Sequence, residues 1–228
     1  MKLAIILARG GSKRIPKKNY RLFCGKPMIY WAIKSAKISG LFDRIEVSTD
    51  SEKILDIANK FGINTKDKRA KKLSGDYTGT VQVVKYEIKK ILKIEKKIDY
   101  VCCIYASSPF TNSHDLKKSF LKLKKQKLKF VFVANLIDNR ALRSFKFRKK
   151  NHLKFIFPKF MNKRTQDLPK VYCDAGQFYW GTKNAWLKEK KMFTKKTSLI
   201  TPKKNSVDID TQQDWRKAEK IFKHNKLN

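Results

Sequence analysis

Acidic residues are scarce in this sequence. The 228-residue chain has 19 Asp and Glu residues against 55 Lys and Arg residues, which gives a formal net charge of +36. One interpretation is a nucleic-acid-binding protein or an enzyme that acts on polyanions. The other is a lysine-rich composition that covers every exposed face, since lysines occur along the whole chain rather than in one stripe. Composition alone leaves both interpretations open.

Cysteine, histidine, glycine and proline are also few. The four cysteines form no CxxC pair, and the three histidines show no zinc-site spacing, so the simplest account is a reduced, intracellular protein. Nine Gly and six Pro exclude collagen-like and low-complexity structure. No apolar run approaches the ~20 residues of a membrane span, so we expect no membrane partner. The short apolar stretch at the start runs into basic residues without a cleavage site, and we therefore expect a strand of a cytoplasmic protein rather than a signal peptide.

Hydrophobic residues nevertheless make up 41% of the chain, which is enough for a folded core. The length favours one domain over residues 1–228. Apolar runs of strand length alternate with segments of helical spacing, and this alternation predicts an α/β fold with a mainly parallel sheet and helices on both faces. The predicted strands are 3–8, 44–48, 99–105, 130–134, 177–182 and 197–201. The predicted helices are 27–39, 51–61, 80–92, 113–125 and a last helix that starts at Thr211 with Asp214 in a variant capping box.

Residues 135–170 break this alternation. Phe145, Phe147, Phe155 and Phe157 alternate with basic residues, and no long helical pattern is present. We interpret this segment as a β-rich excursion, such as a hairpin arm used in dimerisation. The same alternation also suits single-stranded nucleic acid.

The most informative stretch is ARGGSKRIPKKN, directly after the first predicted strand. In an open parallel sheet, ligands bind beyond the carboxyl ends of the strands. Gly10 and Gly11 allow a close approach of backbone N–H groups to a ligand, and Arg9 and Lys13 add charge suited to phosphate oxygens. The stretch is neither a Walker A loop nor a GxGxxG fingerprint. It predicts a polyphosphate cradle, with a basic surface turn as the alternative.

This stretch, followed by FCGKPM, resembles the opening of the sugar-acid cytidylyltransferases, the family that makes CMP-sialic acid and its relatives. The resemblance covers most of the chain in order, through VSTD, LSGDYTGT, YASSPF and VDIDTQQD. It implies a Rossmann-like nucleotide-diphospho-sugar transferase fold and a homodimer formed through residues 135–170. It also implies that the protein transfers CMP from CTP to the anomeric hydroxyl of a nonulosonic acid, with Mg²⁺ as cofactor and pyrophosphate as product.

The runs NKRTQDLP and DAGQFYWG resemble the branch of the family whose acceptor is pseudaminic acid. The neuraminate enzymes tend to carry Asn-Gly where this chain has Ala175-Gly176. Neuraminic or legionaminic acid is the alternative acceptor, and a basic nucleic-acid-binding protein is the alternative of another class. For the enzyme we expect no specific nucleic-acid partner.

The resemblance also implies roles for individual residues. Arg9 and Lys13 are the expected catalytic cations on the triphosphate. The expected nucleotide-binding residues are Ala8, Gly10, Gly11, Ser12, Asn19, Arg69, Asp76 and Thr80. Helix capping explains Asp76 and Thr80 almost as well.

The acceptor and the metal ion have their own expected contacts. The expected acceptor-binding residues are Ser107, Arg164, Gln166, Asp174 and Gln177. Asp208 and Asp210 flank apolar Ile209, so on an extended segment both carboxylates point the same way and can reach one Mg²⁺. A pair of turn residues before the last helix is the alternative. No histidine falls within a motif, so the general base stays unassigned.

Overall fold

The computed structural model describes residues 1–65, 67–148, 152–203 and 206–227. Its centre is a six-stranded sheet in the order β10-β6-β9-β5-β1-β4. The strands of this sheet are β1 (Lys2–Leu7), β4 (Arg44–Ser48), β5 (Tyr100–Tyr105), β6 (Phe130–Ile137), β9 (Val171–Thr182) and β10 (Thr197–Ile200). Two small pairs lie outside it: β2 (Leu22–Phe23) with β3 (Lys26–Pro27), and β7 (Phe145–Phe147) with β8 (Leu153–Phe155).

The described residues form six α-helices, the last of which follows the final strand: α1 (Met28–Ser39), α2 (Glu52–Lys60), α3 (Thr80–Ile91), α4 (Ser113–Lys125), α5 (Lys183–Lys188) and α6 (Gln212–Leu227). Strand β1 pairs in parallel with β4 and β5, and β6 pairs in parallel with β10. Strand β9 is antiparallel to both of its neighbours. The sheet is therefore mainly parallel, as the alternation of the sequence predicts.

The two faces of β1 build two different parts of the core. Ala4 and Ile6 pack with helices α1, α2 and α4, whereas Leu3 and Ile5 pack with α3 and α5. All four side chains are fully buried, and burial of an aliphatic side chain of this size stabilises a fold by about 1.5–3 kcal/mol. An apolar run without alternation is thus explained by helices on both faces of the sheet.

Local sequence signals set the helix ends. Helix α1 ends before Gly40, whose φ of 61° is in the left-handed region that favours glycine. The side chain of Asn112 accepts a hydrogen bond from the backbone N–H of Asp115 at the start of α4. Thr211 and Asp214 form the predicted reciprocal cap, because each side chain accepts a hydrogen bond from the other residue's backbone N–H. The capping-box prediction is confirmed.

The largest differences from prediction lie in the second half of the chain. Strand β9 starts at Val171, well before the predicted strand at 177–182. We call residues 135–170 the arm, of which residues 149–151 lie outside the described residues. Its described residues contain the end of β6, the β7–β8 hairpin and three short 3₁₀ turns (Asn139–Arg143, Pro158–Phe160 and Thr165–Asp167), which is less β-structure than expected for that part of the arm.

In the part of the chain that the structure describes, no helix combines the length and the apolar composition that crossing a membrane requires.

Candidate active site

A cleft of about 630 Å³ opens at the carboxyl ends of β1 and β5. The loop after β1, the segment before α3 and the turn after β5 surround it. Among the sequence-predicted residues, it is lined by Arg9, Gly11, Ser12, Lys13, Asn19, Arg69, Asp76, Thr80, Ser107 and Asp210. Residues from both ends of the chain therefore meet at the edge of the sheet where the fold is expected to bind a ligand.

The loop after β1 packs closely against the start of α2. The backbone N–H of Gly10 donates a hydrogen bond to Asp50 Oδ1 at 2.7 Å, and a Cβ atom at Gly10 would lie 2.8 Å from Ser51 Cβ. No side chain fits at this position. Asp50 accepts the Gly10 N–H in this structure, and the expected contact of Gly10 with the nucleotide stays a prediction. Ala8 is fully buried and packs in the core at the start of the loop.

Asn19 fixes the other end of this loop. Its side-chain Nδ2 donates a hydrogen bond to the carbonyl oxygen of Arg9 at 2.8 Å, and the residue is buried. The side of Gly11 where a Cβ would stand is open space. Hydrogen bonds therefore hold the loop at Gly10 and at Asn19. Gly11 and Ser12, which lie between these two residues in the sequence, border the cleft.

Arg9 and Lys13 share one acidic partner in the cleft. Arg9 Nη1 lies 2.7 Å from Asp76 Oδ1, and Lys13 Nζ lies 2.6 Å from Asp76 Oδ2. Hydrogen bonds from Lys13 and then Arg9 lower the pKa of Asp76. Asp76 therefore remains ionised at neutral pH, and each of its oxygens faces one cation.

Arg69 forms a buried wall of the cleft. Its backbone N–H donates a hydrogen bond to the carbonyl oxygen of Thr49 at 2.6 Å, which ties the segment before α3 to the end of β4. Its Nε donates to Ser74 Oγ at 3.3 Å. Burial lowers the pKa of Arg69, and the charges of Asp50 and Glu87 oppose that shift.

The last carboxylates before α6 lie beside two basic residues of the first loop. Asp210 Oδ2 lies 2.9 Å from Arg14 Nη1, and Asp210 Oδ1 lies 3.6 Å from Lys18 Nζ. Lys18 Nζ also donates a hydrogen bond to the carbonyl oxygen of Ile209 at 2.7 Å. Ile209 is buried, so the segment alternates as predicted. Burial, and then the charge of Asp210, raises the pKa of Asp208.

Asp208 faces the glycine of the DAGQFYWG run. A Cβ atom at Gly176 would lie 3.0 Å from Asp208 Oδ1, and Gly176 has a φ of 59°. The pairing of β6 with β9 shifts register here, between Phe132 and Ala134. Such an irregularity bends a strand and redirects its side chains.

Asp174 and Gln177 lie on this irregular part of β9. Asp174 Oδ1 accepts a hydrogen bond from the Gly176 N–H at 3.1 Å, and Asp174 Oδ2 accepts one from the Tyr179 hydroxyl at 2.7 Å. Gln177 is buried, and its Oε1 accepts a hydrogen bond from Thr111 Oγ1 at 3.5 Å. Neither residue is among those that line the cleft. Their expected contact with the acceptor stays a prediction.

Arg164 and Gln166 lie on the arm, at exposed positions outside the cleft lining. Arg164 Nε donates a hydrogen bond to Asp167 Oδ2 at 2.9 Å. The structure does not bring these two residues together with the other predicted site residues within one chain.

Comparison with known proteins identifies the family to which this chain belongs. A family model described as cytidylyltransferase matches residues 3–227. The chain belongs to the cytidylyltransferase family. It is accordingly a nucleotidyltransferase, as the resemblance of its motifs predicts.

Two curated relatives of this cytidylyltransferase illustrate the range of the family. Pseudaminic acid cytidylyltransferase of Campylobacter jejuni is 41% identical over 225 residues, which cover 98% of this chain and 97% of the relative. CMP-N,N'-diacetyllegionaminic acid synthase of Legionella pneumophila is 29% identical over 98% of this chain and 97% of the relative.

A solved structure supports the fold. The CMP:2-keto-3-deoxy-manno-octonic acid synthetase, complexed with CTP, superposes with a TM-score of 0.74 over 98% of this chain and 99% of that chain. At 13% identity, this likeness shows the shared fold alone.

Among the cleft residues of this cytidylyltransferase that sequence reasoning did not single out are Arg14, Lys18 and Tyr105. Lys18 is adjacent to the assigned Asn19, and burial lowers its pKa. The signal available was its place in the basic loop, but a chain with 55 basic residues gives no way to single out one lysine. Its hydrogen bond to Ile209 joins residues 191 positions apart, so this contact is visible only in the fold.

Proposed function

We propose that this protein transfers CMP from CTP to the anomeric hydroxyl of pseudaminic acid and releases pyrophosphate. The observation that carries the proposal is the 41% identity, over nearly the whole chain, with pseudaminic acid cytidylyltransferase of Campylobacter jejuni. The cleft adds physical support, because its first loop gathers cations where the fold is expected to bind a nucleotide.

Arg9 and Lys13 are the proposed triphosphate-binding residues. Both cations reach into the cleft and already hold an anion, the carboxylate of Asp76. Fixed cations beside a triphosphate stabilise the negative charge that grows on the leaving pyrophosphate in the transition state. Gly11 and Ser12 border the same space, whereas Asn19 and Arg69 are proposed to contact the base or ribose.

Asp208 and Asp210 are the proposed Mg²⁺ ligands. The described residues contain no group of three or more His, Cys, Asp or Glu side chains arranged for a metal ion, so phosphate oxygens and water would complete the coordination. Partial burial, and then the charge of Asp210, raises the pKa of Asp208, and a hard cation beside the two carboxylates would stabilise their ionised forms. The two residues therefore fit such an ion. When bound, it draws negative charge from the phosphate oxygens and makes the α-phosphorus more electrophilic.

Asp174, Ser107 and Gln177 are proposed to face the acceptor. Asp174 lies close enough to raise the pKa of Asp208, so the acceptor end of the site would adjoin the metal end. A carboxylate with both oxygens held by hydrogen bonds keeps a fixed direction toward hydroxyl or amide groups of a sugar acid.

The proposed reaction is an in-line displacement. The anomeric oxygen of the acceptor forms a bond with the α-phosphorus of CTP and gives up its proton. The bond between the α-phosphorus and the bridging oxygen to the β-phosphorus breaks, and pyrophosphate leaves with the electron pair. The protein's contribution is to bind and orient two anionic substrates and to offset their repulsion.

Pyrophosphate release in the presence of CTP and a divalent cation tests this function. The purified protein is assayed with pseudaminic, N-acetylneuraminic and N,N'-diacetyllegionaminic acid. We expect the highest kcat/KM with pseudaminic acid and little release without an acceptor. Equal or better turnover of another acid would contradict the assignment of the acceptor but leave the cytidylyltransferase chemistry in place.

We further propose a homodimer formed through the arm. Phe145, Phe147, Leu153 and Phe155 of the β7–β8 hairpin are between 43% and 74% exposed. An isolated two-stranded hairpin is marginally stable in water, and clustered exposed phenylalanines are typical of a protein interface. In a dimer, Arg164 and Gln166 would approach the partner's site, which would explain why they lie outside the cleft of their own chain.

Light scattering tests the dimer, with Phe147→Ser as the disruptive variant and Tyr77→Ser as a control on a fully exposed residue outside the arm. We expect a dimeric mass for the parent and the control, and a lower mass for Phe147→Ser. A monomeric parent would contradict the proposal. The cytoplasmic location and the absence of a nucleic-acid partner stay predictions.

A further inference from the structure

Asp76 forms ion pairs with both cations of the proposed triphosphate site. Its two oxygens lie 2.7 Å from Arg9 Nη1 and 2.6 Å from Lys13 Nζ. A carboxylate placed between an arginine and a lysine imitates a bound phosphate group, since both present two oxygens that share negative charge. The cations are therefore engaged before any nucleotide is present.

The segment that carries Asp76 is suited to move. It lies between the 3₁₀ turn Lys71–Leu73 and helix α3, and Gly75 and Gly79 flank it. The neighbouring side chain of Tyr77 is fully exposed, so it anchors nothing in the core. The described backbone hydrogen bonds of this segment are local, such as that from Thr78 N–H to the Gly75 carbonyl oxygen.

We propose that Asp76 is an internal competitor for the triphosphate: it leaves Arg9 and Lys13 when CTP binds and returns to them as pyrophosphate departs. The proposal rests on the proposed function and replaces the direct nucleotide contact that the sequence suggested for Asp76. A carboxylate that stayed in place would face the phosphate oxygens and repel them. A ligand that needs both cations binds only to the fraction of the protein in which Asp76 has left them. Its apparent affinity is lowered accordingly.

The return of Asp76 would assist product release. Pyrophosphate is a compact polyanion, and a site with two free cations in a chain of net charge +36 would retain it. An intramolecular carboxylate competes for the same cations at high effective concentration. Release of product limits the rate of many enzymes, so this competition would benefit turnover even though it weakens binding.

Binding of inorganic pyrophosphate alone, followed by isothermal titration calorimetry, tests the proposal without catalysis. Asp76→Asn keeps the shape of the side chain and removes its charge. Exposed ion pairs contribute up to about fivefold each to an equilibrium constant, so we expect about threefold to tenfold tighter pyrophosphate binding by the variant. Asp76→Ala should change the affinity in the same direction.

Asp67→Asn is the matched control, because Asp67 pairs with Lys90 on another part of the surface at 3.0 Å. It makes the same change in net charge and should leave pyrophosphate affinity near that of the parent. Equal or weaker binding by Asp76→Asn, or the same gain in both variants, would overturn the proposal. Failure of the parent to bind CTP at all would instead contradict the proposed function.

Discussion

The hydroxyl of Tyr179 donates a hydrogen bond to Oδ2 of Asp174 at 2.7 Å. The two residues lie on opposite sides of the register shift in β9, and the bond holds the carboxylate across this irregularity. Tyr105 packs beside Tyr179, with ring centroids 5.4 Å apart, and its own hydroxyl is bonded to Thr80 Oγ1 at 2.7 Å. Burial raises the pKa of Tyr105 to about 12, so this phenol stays protonated.

Tyr179→Phe should weaken recognition of the acceptor. The variant keeps the ring but leaves one oxygen of Asp174 free to turn. A hydrogen bond to a charged group contributes about 1.5–3 kcal/mol, and we expect the KM for the acceptor acid to rise about tenfold while the KM for CTP stays unchanged. Tyr100→Phe, at the far end of β5, controls for the loss of a phenol. A rise in the KM for CTP, or no change in either KM, would contradict the role of Asp174.

Lys13→Ala should abolish most CTP turnover while the fold survives. The Lys13 side chain is 85% exposed, so its removal leaves no cavity in the core. Loss of one well-placed charge-stabilising group costs on the order of a hundredfold in kcat. Lys97→Ala removes a similarly exposed lysine and should leave kcat unchanged. Steady-state kinetics and circular dichroism check both variants, and a fully active Lys13→Ala protein would refute the triphosphate assignment.

Asp208→Asn should raise the Mg²⁺ concentration needed for half-maximal activity. The substitution removes one of two proposed carboxylate ligands and keeps the side-chain volume. We expect a shift of about tenfold or more, since loss of one charged ligand weakens a carboxylate site strongly. Asp214→Asn is the control, because Asp214 accepts hydrogen bonds from Thr211 in the cap of α6. An identical Mg²⁺ dependence in Asp208→Asn and the parent would exclude Asp208 as a ligand.

Glu87→Gln should stabilise the protein at neutral pH. Glu87 is buried, and burial raises its pKa from the ordinary value of 4.5. A raised folded-state pKa favours the protonated form, so the ionised residue costs stability once the pH exceeds its folded-state pKa. Gln removes this cost and still accepts the hydrogen bond from Ser48 Oγ.

Urea unfolding at pH 8 and near pH 4.5 measures this effect. We expect Glu87→Gln to be more stable than the parent at pH 8, with a smaller difference near pH 4.5, where the raised pKa favours the protonated form of the folded parent's carboxyl. Glu95→Gln is the control on a more exposed carboxylate. A variant that is less stable than the parent at pH 8 would contradict this expectation.

The parts of this fold that local sequence encodes were predictable. Helix α4 and strand β4 have the predicted bounds, because Asn112 caps the helix and polar and apolar residues alternate along the strand. The position of the loop after β1 beside the cleft was also predictable, since ligand sites of open α/β sheets lie beyond the carboxyl ends of the strands.

The parts of the fold that depend on contacts between residues distant in the sequence were not predictable. Nothing local indicates that β9 runs antiparallel between β5 and β6, or that its register shifts beside Asp208. The use of the Gly10 N–H by Asp50 and the contact of Lys18 with Asp210 likewise require the folded chain. Hydrophobic periodicity and secondary-structure propensity carry no information on such pairings, because both describe residues that are close together in the sequence.

A crystal structure with CTP and Mg²⁺ is the most direct test of the central claim. The account predicts that the triphosphate lies against Gly11 and Ser12, with Arg9 and Lys13 on its oxygens and the ion beside Asp208 and Asp210. A nucleotide bound elsewhere, with Arg9 and Lys13 still paired to Asp76, would contradict the account.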